Sequence, residues 1–217
     1  MPIRRFLPPA RRAPAWLAAA AALTLATTTA CVPVVDPPGG QPTTGASDQL
    51  AELTVANAGS MRGYSRARFP HWRDTGANCD VRDTVLRRDG TAIRVSGCNV
   101  TGGRWTSSYD GKTFTDPSLM DVDHMVPLAN AWRSGAATWT DGRRGDFAND
   151  LDRPQLIAVS ASSNRAKGDQ DPAQWKPPRR AVWCAYAQDW VAVKYHWQLS
   201  VTAAEKEALT DMLETCR

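Results

Sequence analysis

Histidine is scarce in this chain of 217 residues, which contains only His71, His124 and His196. The five cysteines form neither a C-x-x-C pair nor a Cys/His cluster with the spacing of zinc ligands, which disfavours a structural zinc site. The apolar stretch at residues 16–26 is shorter than the roughly 20 residues of a membrane-spanning helix. The sequence also has no internal repeat.

The N-terminus has the residue order of an export signal. Arginines at positions 4, 5, 11 and 12 precede the apolar stretch, and the small residues T-T-T-A follow it before Cys31. We therefore predict that residues 1–31 form a signal peptide and that the protein is secreted. Cys31 resembles the lipid acceptor of bacterial lipoproteins, but Thr28 stands where such sites usually carry Leu. Lipidation at Cys31, with a cell-surface anchor, and ordinary cleavage thus remain alternatives.

The exported part of the chain has no net charge. Four of the 26 basic residues and none of the 22 acidic residues precede Cys31, so the remainder carries 22 of each sign. Overall charge therefore does not indicate a nucleic-acid ligand. Residues 61–104 nevertheless hold nine Arg and four Asp. A locally basic surface suits a phosphate-rich ligand, although such charge runs are more often simply solvated.

Composition divides the exported chain into a linker and one domain. Residues 32–47 are rich in Pro, Gly and Thr and contain too little apolar surface to fold, so we predict a flexible linker. The rest, residues 48–217, has the length of a single domain.

Four cysteines remain in that domain: Cys79, Cys98, Cys184 and Cys216. An even number of cysteines in an exported chain indicates two disulfides, and four cysteines allow three pairings. Their order in the sequence favours Cys79–Cys98 and Cys184–Cys216.

Local patterns predict a mixture of helices and strands. Asp48 can cap a short first helix that carries Leu50, Leu53 and Val55, and Thr202 with Glu205 has the pattern of a capping box. Residues 81–88 fit either a helix or a strand, and residues 101–117 are rich in turns, with a hairpin around Asp110-Gly111. The other predicted strands are 91–95, 121–126 and 155–160, and the other predicted helices are 128–133, 161–167, 177–195 and 202–215.

The run D-V-D-H-M-V-P-L, residues 121–128, carries the most chemistry in the sequence. His124 can accept a proton from water near neutral pH, and the neighbouring Asp123 can bind a hard divalent cation through oxygen. This pair suggests metal-assisted hydrolysis of a phosphodiester. His71 and His196 lie beside tryptophans instead, and we expect both to serve in packing.

Three further segments follow the D-V-D-H-M-V-P-L run in order: F-A-N-D-L at 147–151, L-I-A-V-S-A-S-S-N-R-A-K-G-D at 156–169, and P-A-Q-W-K-P at 172–177. With these four segments the chain resembles the secreted bacterial branch of the HNH, or His-Me finger, endonucleases. The resemblance extends over most of the exported chain, through the upstream segments R-F-P-H-W and C-D-V-R-D-T-V-L and the downstream segment C-A-Y-A-Q-D-W.

The resemblance implies a role for each matching residue. His124 corresponds to the general base, and Asp123 and Asn164 correspond to the ligands of a divalent metal ion, most often Mg²⁺, with Mn²⁺ or Ca²⁺ as alternatives. Asn149 corresponds to the asparagine that orients the base. The substrate phosphate can be bound by one of three basic residues, among which the sequence does not choose: Lys167, Arg82 and Arg165.

The prediction is an exported, metal-dependent endonuclease of α+β fold. A ββα-metal core at about 119–169 lies in a small mixed domain with flanking helices and two disulfides. DNA is the favoured nucleic-acid partner, cleaved with little sequence specificity by a monomer that contacts a membrane only through an anchor at Cys31. The alternatives are a nuclease that acts mainly on RNA and a surface-anchored binding lipoprotein built on a nuclease scaffold.

Overall fold

The computed structural model describes residues 45–216. The predicted signal peptide, the acceptor Cys31 and nearly all of the predicted linker lie outside these residues. Seven α-helices occur in the described part: α1 (Ala46–Glu52), α2 (Val81–Asp89), α3 (Leu128–Arg133), α4 (Asp141–Ala148), α5 (Ala161–Lys167), α6 (Trp183–Trp197) and α7 (Ala203–Leu213). None of these helices is long and apolar enough to cross a membrane.

The strands form three small antiparallel sheets in the same part of the chain. The first pairs β1 (Asp74–Gly76) with β2 (Cys79–Asp80), and the second has the order β3 (Thr91–Ser96), β4 (Asn99–Thr106) and β5 (Thr113–Phe114). The third pairs β6 (Met120–His124) with β7 (Leu156–Ser160). The fold is therefore a mixed α+β fold, as predicted.

The antiparallel strand pair β6–β7 positions the D-V-D-H run. Its register places Asp123 opposite Ile157 and His124 opposite Leu156. Helix α5 begins directly after β7, because the Ser160 side chain accepts a hydrogen bond from the backbone N–H of Ser163 and so caps the helix. The strands β6 and β7 and the helix α5 thus form one unit, in which α5 packs against both strands.

Two hydrophobic clusters lie behind this unit. The larger cluster contains Phe69, Trp132 and Trp190 and joins α3 and α4 to the long helices α6 and α7. The smaller cluster contains Trp105 and Val122 and lies where α2 and β4 pack on the β6–β7 strand pair. The strand pair is therefore supported by both clusters, because each of them includes apolar side chains from its strands.

Both predicted disulfides are present, Cys79–Cys98 and Cys184–Cys216. The first joins β2 to the turn between β3 and β4, and the second joins the first turn of α6 to the residues after α7.

Several local predictions are confirmed, and others are wrong for identifiable reasons. Helices 128–133 and 161–167, the hairpin around Asp110-Gly111 and the capping box at Thr202 occur as predicted. Asp48 does not cap α1, because the helix begins earlier and places Asp48 in its first turn. Helix α6 begins at Trp183 rather than at Pro177, because a 3₁₀ turn at Arg180–Val182 precedes it; Pro178 accounts only for the non-helical backbone of Pro177. Helix α4 and strand β4 were missed because each contains two glycines.

Candidate active site

A cavity of about 210 Å³ opens where β6 ends, and three of the predicted site residues line it: Asp123, His124 and Asn164. The first turn of α3 and the residues after α5 supply two of its walls. A segment that precedes β1 supplies another wall, through Tyr64 and Arg66. The structure therefore brings together three predicted site residues that are up to 41 positions apart in the sequence.

His124 is buried, with 4% of its surface exposed, and its Nε2 lies 3.0 Å from the carbonyl oxygen of Ala148. Because a carbonyl only accepts hydrogen bonds, Nε2 carries the hydrogen and Nδ1 is the basic nitrogen. Burial lowers the pKa of His124 to about 3, Arg66 and His71 add to the shift, and the Ala148 carbonyl opposes it. His124 is therefore neutral at ordinary pH, which is the state that a general base requires.

Asp123 is held in place through one of its two oxygens. Its Oδ2 accepts hydrogen bonds from Lys167 Nζ at 2.5 Å and from the Tyr109 hydroxyl at 2.7 Å. Within residues 45–216, Oδ1 has no hydrogen-bond donor. Burial raises the pKa of Asp123, while the Lys167 ammonium and the Tyr109 hydroxyl oppose that shift. The ion pair thus fixes the carboxylate and leaves Oδ1 for another ligand.

Lys167, one of the three basic residues considered for the substrate phosphate, has no donor free for it. Its side chain is fully buried, and Nζ donates to Asp123 Oδ2, to the His124 carbonyl and to the Met125 carbonyl. An ammonium group has three donors, so none remains for a phosphate. Lys167 instead connects the end of α5 to the strand that carries Asp123 and His124.

Asn164 has a defined orientation because its Nδ2 donates to Asp121 Oδ2 at 3.1 Å. This hydrogen bond leaves the amide oxygen of Asn164 as an acceptor at the cavity. The Asp123 Oδ1 and Asn164 Oδ1 atoms are hard oxygen donors of the kind that Mg²⁺ prefers, and a Mg²⁺ site commonly uses only one or two protein ligands beside water. Residues 45–216 contain no group of three His, Cys, Asp or Glu side chains able to hold a metal ion. The two-residue donor set therefore fits a hydrated Mg²⁺-like ion and does not fit zinc.

The Asn149 side chain does not contact the imidazole that it was predicted to orient. Its Nδ2 donates to the carbonyls of Pro70 and Gly145, both at 2.7 Å, and its Oδ1 accepts from the backbone N–H of Arg73 at 2.9 Å. The direct contact to His124 comes from the backbone of the preceding residue, Ala148. A role for Asn149 in orienting the base must therefore act through other residues.

The arginines near the cavity differ from those predicted. Arg82 donates to the carbonyl of Met120 and is not part of the cavity wall, and Arg165 is an exposed residue of α5 outside that wall. Arg66 lines the cavity and was missed. Its only signal in the sequence was its position in the locally basic stretch, which contains eight other arginines.

Two aromatic side chains, Trp72 and His71, lie beside the His124 imidazole. The Trp72 ring is stacked on it, with centroids 5.6 Å apart and planes inclined by 29°. His71 approaches edge-on at 6.3 Å, and its Nδ1 is 2.8 Å from the Phe69 carbonyl. The packing role expected of His71 is thus directed at the candidate base.

Comparison with known proteins finds one matching family model and a secreted relative. Residues 81–212 match the family model described as GmrSD restriction endonucleases, C-terminal domain. An uncharacterized secreted protein of Arthroderma benhamiae is 52% identical over 202 residues, which cover 93% of this chain and 98% of that protein. This relative is fungal, whereas the sequence resemblance pointed to a bacterial branch. No solved structure matches the chain. The chain belongs to the family of GmrSD restriction endonuclease C-terminal domains.

Proposed function

We propose that this protein is an exported, metal-dependent endonuclease that hydrolyses DNA with little sequence specificity. The observation that carries the proposal is the convergence, in one cavity, of a neutral buried histidine with two oriented oxygen donors, Asp123 and Asn164. The family to which the chain belongs, named for restriction endonucleases, supports nuclease chemistry at this cavity.

The two oxygen donors suit a divalent ion at the scissile phosphate. In this proposal Asp123 Oδ1 and Asn164 Oδ1 hold Mg²⁺, with Mn²⁺ or Ca²⁺ as substitutes. Bound there, the ion would act as a Lewis acid on the phosphate oxygens and on the departing oxygen. Lys167 and Tyr109 keep the Asp123 carboxylate in one orientation, and Asp121 does the same for the Asn164 amide.

His124 activates the water. As the water oxygen attacks phosphorus, its proton passes to Nδ1. The bond from phosphorus to the departing deoxyribose oxygen breaks, and that oxygen takes a proton from a second water. The Nε2–H group, hydrogen-bonded to the Ala148 carbonyl, fixes the tautomer and stabilises the imidazolium that forms. General-base help of this kind is typically worth about 10²–10⁴-fold in rate.

Arg66 is the residue best placed to bind the substrate phosphate. Its guanidinium lies on the cavity wall, and a guanidinium can donate two parallel hydrogen bonds to phosphate oxygens. This assignment replaces Lys167, whose donors are all used within the protein.

Export rests on the N-terminal residue order, on two disulfides and on the secreted relative. The disulfides favour an oxidising compartment outside the cytosol. We propose secretion, with a lipid anchor at Cys31 as the alternative form of export.

Incubating the protein that lacks residues 1–31 with supercoiled plasmid and with structured RNA, each with Mg²⁺ and with EDTA, tests this proposal. We expect plasmid relaxation and linearisation that EDTA abolishes. Cleavage of the RNA but not of the plasmid would make RNA, rather than DNA, the substrate class. If the protein binds nucleic acid but does not cleave it with Mg²⁺, Mn²⁺ or Ca²⁺, the proposal of a nuclease is overturned and the binding lipoprotein is favoured.

A further inference from the structure

We propose that Trp72 is a positioning residue for His124: it fixes the plane of the imidazole so that Nδ1 stays available to the attacking water. This inference rests on the proposed function of the same site. It assigns a role to the segment before residue 81, which lies outside the matched family domain.

The hydrogen bond from Nε2 to the Ala148 carbonyl does not by itself fix the imidazole. A single hydrogen bond sets the position of one ring nitrogen and still allows the ring plane to tilt about the Cβ–Cγ bond. The stacked Trp72 ring, with its centroid 5.6 Å away and its plane inclined by 29°, restricts that tilt, because it would bring the imidazole against the indole face. The edge of His71 restricts the imidazole from a second direction, with an interplanar angle of 80°.

Trp72 has a backbone conformation that a bulky residue rarely adopts. Its φ is +58°, in the left-handed region, where a side chain other than that of glycine or asparagine is strained. Such conformations persist when the surrounding structure enforces them, and they concentrate at functional sites.

Asn149 supplies much of that enforcement. Its amide bonds to the carbonyl of Pro70 and to the N–H of Arg73, so it brackets His71 and Trp72 from both sides. The Arg73 side chain adds an ion pair to Asp146 of α4 at 2.6 Å. The C-terminal end of α4 therefore acts on His124 twice, through the Ala148 carbonyl and through the Trp72 segment that Asn149 holds.

Steady-state kinetics of Trp72→Ala and Trp72→Phe, with Trp183→Ala as control, test the proposal. Trp183 is a half-buried tryptophan at the start of α6, outside the cavity wall. For Trp72→Ala we expect kcat to fall about ten- to a hundredfold while KM changes by less than about twofold, because a displaced base harms the chemical step. Trp72→Phe keeps a stacked ring and should recover kcat to within about threefold of the wild type. An unchanged kcat in Trp72→Ala, or an equal loss in the control, would overturn the proposal.

Nitrogen-15 NMR of the His124 imidazole gives a readout that does not depend on cleavage. The wild type and Trp72→Phe should show a single neutral tautomer with hydrogen on Nε2, and Trp72→Ala should show averaged or broadened resonances. An unchanged His124 spectrum in Trp72→Ala would contradict the positioning role. If the wild type cleaves no nucleic acid but the spectra change as expected, the proposed function fails and the positioning role stands.

Discussion

The charge state of single residues decides what the candidate site can do. Burial keeps His124 neutral, and the buried ion pair with Lys167 keeps Asp123 in one orientation. Both effects depend on low exposure rather than on the number of charged neighbours. Half-buried ionisable groups outside the site should follow the same rule, and Asp189 on α6, which does not line the cavity, allows that rule to be tested.

Asp189→Asn should stabilise the protein at alkaline pH. Burial raises the pKa of Asp189 from 3.8 to about 6, so the folded state binds more protons than the unfolded state between those values. The contribution of this group to stability therefore falls as pH rises from about 3.8 to about 6, and it stays unfavourable above that range. We expect the substitution to add about 1–2 kcal/mol near pH 8 and little near pH 4, after allowance for partial solvent screening.

Urea unfolding at both pH values measures this difference, with the exposed Asp211 of α7 changed to Asn as control. The same gain at both pH values, or a loss near pH 8, would show that the Asp189 carboxylate is not destabilised by burial.

At the scale of elements, the important junction is the one between α5 and β6. Lys167, at the end of α5, donates to one side chain and two carbonyls of the β6 strand and the residue after it. The helix that carries Asn164 is thereby fixed to the strand that carries Asp123. The relative position of the two proposed metal ligands depends on this junction.

Lys167→Met should destabilise the protein by about 3–5 kcal/mol, because it leaves the buried Asp123 carboxylate without its cationic partner. The solvent-exposed Lys112, changed to Met, is the matched control and should change stability by less than about 0.5 kcal/mol. Chemical denaturation of the two variants gives both values. A loss below about 1 kcal/mol in Lys167→Met would mean that the ion pair does not hold the junction.

The sequence predicted the part of the site that follows from local order. Asp123, His124 and Asn164 lie on a strand and a helix whose patterns are clear, and those elements formed almost as expected. Lys167 was misassigned because sequence does not show whether a lysine at a helix end is buried. Arg66 and Trp72 were missed because they reach the cavity and His124 from 50 or more positions away, through contacts that no local pattern encodes.

At the scale of the whole molecule, the disulfide crosslinks lie apart from the candidate site. None of the four cysteines lines the cavity, and the Cys184–Cys216 disulfide closes a loop with a sequence separation of 32 around the two long C-terminal helices. A crosslink of that length restricts the unfolded chain far more than it affects the native site.

The double variant Cys184→Ser, Cys216→Ser should therefore lose about 2–4 kcal/mol of stability and keep its cleavage rate at a temperature where it is folded. Thermal unfolding and plasmid cleavage on the same samples measure both quantities. Lost cleavage in a fully folded sample would show that the C-terminal helices take part in the chemistry.

The central claim is that His124 acts as the base while the two oxygen donors, Asp123 and Asn164, bind the metal ion. The most direct test is the single-turnover cleavage rate of His124→Ala at saturating Mg²⁺, with Mn²⁺ affinity measured on the same protein by calorimetry. We predict a rate about 10²–10⁴-fold below that of the wild type, with Mn²⁺ affinity unchanged, because the base is removed and the ligands Asp123 and Asn164 remain. A rate within about threefold of the wild type would contradict the assignment of His124 as the base.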